Sequence, residues 1–123
     1  MTRIAQPAYA FYGSLRRGMP LYQEFQAGLR YQFSQWLTGY DLFSLGAYPC
    51  AVKSSNPNSK ILIEVMQVHY PETERKIQEI EMNAGYHVTT ISIQEQPVKI
   101  YLFENASNYP IVMHGDWVTF FGS

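Results

Sequence analysis

The chain has one cysteine, Cys50, and no cluster of thiols or imidazoles at zinc-ligand spacing. Neither an internal disulfide nor a structural zinc site is expected. Charge is scarce too. Nine Lys and Arg stand against ten Asp and Glu, 15% of residues in all, for a formal net charge of −1. That balance leaves no basic surplus to release counterions from a nucleic acid. Nothing approaches the roughly 18 to 20 apolar residues of a membrane span, and the stretch from Met1 to Pro7 lacks the apolar core of a signal peptide. The expectation is a soluble, cytoplasmic protein with no nucleic-acid or membrane partner.

What the chain does have is apolar and aromatic mass. Of its 123 residues 46% are hydrophobic, including ten Tyr, seven Phe and two Trp. A solvated coil does not carry so much burial potential. The length suits one domain, residues 1–123, with a core large enough to need no metal or disulfide staples.

Ala8 to Tyr12 is short, aromatic and stopped by Gly13, which predicts a strand feeding a tight loop. Leu21, Phe25 and Leu29 recur every four residues behind Pro20, predicting a short helix. Phe33 to Leu45 reads as one strand, ended by Gly46-Ala47-Tyr48-Pro49, and Ile61 to Tyr70 is the strongest strand signal. Pro71-Glu72-Thr73-Glu74 starts a second helix, since proline suits the first turn and the glutamates suit the positive end of the dipole. On it Ile77, Ile80 and Ala84 are expected to face the core, and Gly85 caps it. Tyr86–Gln94, Val98–Glu104, Ile111–Met113 and Trp117–Phe121 read as further strands, the first two joined by a turn near Gln96-Pro97. Trp36, Trp117, Phe120 and Phe121 read as core. The fold class expected is α+β, a mixed and mostly antiparallel β-barrel of about six strands with two flanking helices.

The loop Tyr12-Gly13-Ser14-Leu15-Arg16-Arg17-Gly18 exposes successive backbone N–H groups, a geometry that binds anions. Arg16 and Arg17 could reinforce such an anion, or could simply be solvated. From spacing alone both readings stand.

That loop resembles the signature of the γ-glutamylcyclotransferase-like (AIG2-like) family. Three further segments match in the family's order: Gly46-Ala47-Tyr48-Pro49-Cys50-Ala51-Val52, Ile63-Glu64-Val65-Met66-Gln67-Val68 and Gly115-Asp116-Trp117. The resemblance runs from about Tyr9 to Phe121. It implies a mixed β-barrel with a pocket at its mouth and no metal or organic cofactor. It also implies a small γ-glutamyl amine or peptide as ligand, converted to 5-oxoproline and a free amine. Gly13, Ser14 and Leu15, with Tyr12, would hold the substrate; Tyr48 and Tyr86 would border the pocket, their phenols bonding substrate or holding the loop.

The family's second helix ends in a pattern like Leu-Asp-x-x-Glu-Gly-Tyr, whose Glu carries the proton. Aligned on Gly85-Tyr86, this chain has Ala84 at that Glu and Glu81 at the Asp. Such acid–base catalysis is worth roughly 10²–10⁴-fold, so the alignment implies weak or lost activity unless another group serves. Glu81, one helical turn earlier, is the first candidate; Glu64, mid-strand, and His87 or His114 are the others, each also readable as structural. Cys50 reads as a small buried residue rather than a nucleophile.

Overall fold

The computed structural model describes residues 6–106 and 108–122. The first strand, β1 (Ala8–Phe11), is buried along its whole length, because the sheet is covered on both faces. Its side chains alternate. Ala8 and Ala10 point into one apolar cluster, together with Tyr12 just beyond the strand, and Tyr9 and Phe11 point into another. Strand β5 (Lys60–Val68) divides the same way, with Ile61, Ile63 and Val65 on the first side and Met66 and Val68 on the second.

With β2 (Leu29–Thr38), β6 (His87–Ile93) and β7 (Gln96–Leu102) these strands form one sheet in the order β2-β5-β1-β7-β6. Only the β1–β7 pair is parallel. Strands β3 (Tyr40–Ser44) and β4 (Pro49–Lys53) form a separate two-stranded sheet. It is tied to the end of β7 by the Phe103 N–H, which donates to the Ala51 carbonyl at 2.9 Å. The mixed, mostly antiparallel α+β class expected is therefore present, but the two sheets do not close into a continuous barrel.

Helix α1 (Pro20–Phe25) has no buried residue and passes through a 3₁₀ turn into β2. Helix α2 (Pro71–Asn83) starts at the expected proline and ends where Gly85 takes φ +101°, a conformation that favours glycine. Ile77 anchors it at 1% exposure, whereas Ile80 is 40% exposed. Of the three residues expected to face the core, Ile77 is buried, Ala84 is partly buried against the second cluster, and Ile80 is not in the core.

Several predicted strands differ. The run from Phe33 to Leu45 breaks at Gly39, φ +90°, into β2 and β3. Ile111–Met113 makes only an isolated bridge to Phe43. Trp117–Phe121 is a short helix, α3, because the Asp116 carboxylate accepts from the Thr119 N–H and hydroxyl and so caps a first turn. Trp117 is fully buried, but Trp36, Phe120 and Phe121 are 41–48% exposed, contrary to the core expected of them. The β6–β7 turn falls at Gln94-Glu95, both at positive φ as a two-residue hairpin of this hand requires, two residues before the position expected.

Because Ile77 is the one buried residue of α2, Ile77→Ala is expected to cost about 2–5 kcal/mol in urea unfolding. Met82→Ala, on the exposed face, should stay within about 0.5 kcal/mol.

Candidate functional site

The chain leaves β1 through Tyr12 and turns at once, the Arg16 N–H donating to the Gly13 carbonyl at 3.0 Å. Position 13 has to be glycine for a packing reason. A Cβ there would lie 2.7 Å from the Pro49 ring, closer than any side chain tolerates. The Tyr12 hydroxyl accepts from the Ala51 N–H at 3.1 Å and donates to the Tyr101 carbonyl. The Tyr86 hydroxyl donates to the Pro49 carbonyl. The Tyr12 phenol thus ties the start of the loop to β4 and β7, and the Tyr86 phenol holds the first residue of β4.

Below the loop lies a buried ion network. The Glu64 carboxylate, at 4% exposure, accepts from Arg16 Nε at 3.0 Å and from the Arg17 N–H and Nε at 3.0 and 3.1 Å. Arg16 also bonds Asp116 at 2.7 Å, and the Arg17 guanidinium stacks 3.5 Å from the centroid of the Tyr31 ring. Burial works to raise the Asp116 pKa, but hydrogen bonds from Arg16 and Thr119 outweigh it and leave the carboxyl below its usual value. Arg16 is buried by these contacts, whereas the Arg17 side chain remains 48% exposed. Glu64 is a structural partner rather than a free acid.

Above the loop is a cavity of about 160 Å³. Gly13, Ser14 and Leu15 form its floor, and among the described residues no protein acceptor occupies their N–H groups. The cavity is also lined by Phe11, Tyr12, Tyr86 and Tyr101, by Leu21, Ile80, Glu81 and Ala84, and by exposed Tyr48 and buried Pro49. Every substrate-contact residue expected from sequence therefore meets at one cavity, together with Ala84 and Glu81. Tyr101 was not foreseen; it reaches the cavity because it shares a β7 face with Lys99, opposite Val98 and Ile100. The other substitute acids lie elsewhere. His87 is 3.8 Å from Glu104 on the surface, and exposed His114 sits in a separate groove with Trp36 and Met113.

The electrostatics of the cavity follow from its apolar walls. Desolvation pushes the Glu81 carboxyl up from 4.5 to about 7. Burial raises Tyr12, Tyr86 and Tyr101 as well, so these phenols stay protonated. Cys50 is fully buried and its thiol is pushed up to about 11, which leaves it inert. Among the described residues no group of three or more His, Cys, Asp or Glu is arranged to hold a metal, and no helix is long and apolar enough to cross a membrane.

The family model for "Gamma-glutamyl cyclotransferase, AIG2-like" matches residues 9–119. The protein named "Putative gamma-glutamylcyclotransferase PH0828", from Pyrococcus horikoshii, is 36% identical over 83 residues, 68% of this chain and 66% of that one, just under two thirds of its length. Its crystal structure superposes with a TM-score of 0.78 at 28% identity, covering 93% of this chain and 92% of the other. Protein c4763, specific to uropathogenic E. coli, shares the fold at TM-score 0.80 and 19% identity, covering 97% and 98%. A mouse AIG2-like protein does so at 0.70 and 15%, covering 91% and 88%.

The raised Glu81 value has a stability signature. A carboxyl whose value rises on folding favours the fold while neutral, and that stabilisation disappears as pH climbs from 4.5 through about 7. Between about pH 5 and 8 the parent's Tm should fall relative to that of Glu81→Gln; a constant offset across that window would contradict the burial of this carboxyl.

Proposed function

Because the chain belongs to the gamma-glutamyl cyclotransferase, AIG2-like family, we propose that its cavity binds a small γ-glutamyl amine or peptide and converts it to 5-oxoproline and a free amine, with Glu81 as the proton carrier. One observation carries this reading: the Glu81 carboxyl lines the same cavity as the unoccupied Gly13–Leu15 amides. The amides hold the γ-glutamyl group, as the family resemblance implies. The substrate's α-amine then attacks its own γ-carbonyl carbon. Glu81, ionised, takes a proton from that amine as the ring C–N bond forms. It returns the proton to the departing nitrogen as the original C–N bond breaks. No proton is lost or gained overall, and a carboxyl near neutrality suits both halves of the exchange.

The motif can be read in register with this assignment. Anchored on Gly85-Tyr86, the family's Leu-Asp-x-x-Glu pattern puts Ala84 at the acid. Anchored instead on Ile77, the buried residue of α2, it runs Ile77-Gln78-Glu79-Ile80-Glu81, with Glu81 at the acid and Gln78 at the Asp. The second register keeps the apolar anchor in the core and a carboxylate on the cavity, and we adopt it.

A binding module without turnover is the second reading. It is favoured by the methyl group of Ala84 on the cavity wall beside the Gly85-Tyr86 anchor. The two readings separate cleanly. If Glu81 carries the proton, Glu81→Gln loses about 10²–10⁴-fold of 5-oxoproline release while still binding ligand, kcat/KM of the parent rises with pH toward about 7, and Ala84→Glu gains nothing. If the site is only a binding module, the parent releases no 5-oxoproline and Ala84→Glu creates the activity.

A further inference from the structure

Three buried phenols line the cavity, and two of them are accounted for. The Tyr12 hydroxyl bonds the Ala51 N–H and the Tyr101 carbonyl, and the Tyr86 hydroxyl bonds the Pro49 carbonyl. The third is different. Tyr101 is 3% exposed and lines the same cavity, yet among the described residues its hydroxyl has no hydrogen-bond partner and no access to water. A buried hydroxyl left unpaired is disfavoured, so it calls for an acceptor. The other buried side-chain atom in that condition, Trp117 Nε1, belongs to the opposite apolar cluster and does not line the cavity.

The Tyr101 ring stacks on Tyr9 at 5.6 Å, but the Tyr9 hydroxyl donates to Glu74 at 2.7 Å and accepts from Gln78 at 3.1 Å. Burial above all, then the Tyr9 phenol and the Glu81 carboxyl, raise the Tyr101 pKa far above the usual phenol value. The group therefore stays protonated and serves as a donor. The Glu81 carboxyl is close enough to act on it, and both line a cavity of only about 160 Å³.

The ring closure proposed above leaves one atom unattended. The two nitrogens served by Glu81 flank the γ-carbonyl carbon, one attacking it and one leaving it. The oxygen on that carbon is thus only two bonds from each. As the ring C–N bond forms, the π pair of the C=O bond moves onto this oxygen, and a donor fixed beside it lowers the barrier. From the unpartnered hydroxyl and its place with Glu81 on the cavity we infer that Tyr101 is a further catalytic residue, donating to the γ-carbonyl oxygen of the bound γ-glutamyl group and holding the charge that develops there. The phenol keeps its own proton throughout. When the C=O bond re-forms, the original C–N bond breaks and the leaving nitrogen takes the proton carried by Glu81. The inference rests on the γ-glutamyl reading of the site and supplies the donor that reading lacks.

Tyr101→Phe removes the hydroxyl alone, and stability and catalysis report on it separately. Because the hydroxyl has no protein partner, the Tm of the empty variant should match or exceed the parent's, whereas Tyr86→Phe, which loses the bond to Pro49, should fall below it. With γ-glutamyl-ethylamide, 5-oxoproline release by Tyr101→Phe should lose about 10²-fold or more in kcat. KM should change by less than about tenfold, and kcat/KM should still rise with pH toward about 7. A fall in Tm would put the hydroxyl's partner inside the protein, a displaced pH profile would mean that it acts through Glu81, and an unchanged kcat would leave it no role; each overturns the inference. If the parent releases no 5-oxoproline, the turnover reading fails and binding decides. The lactam carbonyl of 5-oxoproline carries the same oxygen, so its Kd should be about 2–10-fold weaker for Tyr101→Phe. Equal Kd values overturn the inference alone, and no binding to either protein overturns the γ-glutamyl reading with it.

Discussion

The geometry of the cavity floor depends on one buried carboxylate. Glu64 sits mid-strand on β5, and a lone charge there would be untenable. It is stabilised because the loop after β1 folds back and supplies the Arg17 N–H and two guanidinium groups to it. The loop is in turn fixed because the carboxylate is there. Removing one partner from a buried pair typically costs about 3–5 kcal/mol, far more than a surface loop gains from its own turns. Arg16 extends the tie to Asp116, which also caps α3. One carboxylate on one strand thus sets the shape of the amide floor and reaches the last helix.

The phenols complete the frame from the other side. Tyr12 and Tyr86 spend their hydroxyls on backbone groups of β4 and β7, so their rings are walls rather than reagents. With the arginines and these two phenols committed to structure, the chemistry of the cavity is left to three kinds of group. These are the amides of Gly13–Leu15, the desolvated carboxyl of Glu81 and the Tyr101 hydroxyl. The apolar walls that raise Glu81 also keep the phenols protonated, so both effects share one cause.

Much of this was legible in the sequence, for local reasons. Gly13 stopping an aromatic strand, Pro71 opening a helix and Gly85 closing it are one-residue signals whose backbone meaning does not depend on the rest of the fold. Glu81 was legible as a candidate because one helical turn is a fixed distance. What failed was non-local or too short. The burial of Arg16 depends on partners 48 and 100 residues away, which no local pattern encodes. Trp117–Phe121 reads as a strand because aromatic residues favour strands, and five residues are too few to display a helical period. Trp36 on β2 and Phe120 on α3 lie on faces whose exposure is set by what packs against them, not by their own identity.

Strand β1 stands in the middle of its sheet, between β5 and β7. It precedes both neighbours in the chain: its antiparallel neighbour comes from residues 60–68 and its parallel neighbour from residues 96–102. During synthesis the Tyr12–Leu15 segment therefore emerges long before anything exists to shape it. Glu64 follows about fifty residues later, and the Tyr101 carbonyl that receives the Tyr12 hydroxyl later still. Such distant pairings are slow to close, since loop entropy is lost before the contacts form. The amide floor therefore depends on partners from β5 and β7 that are made well after it.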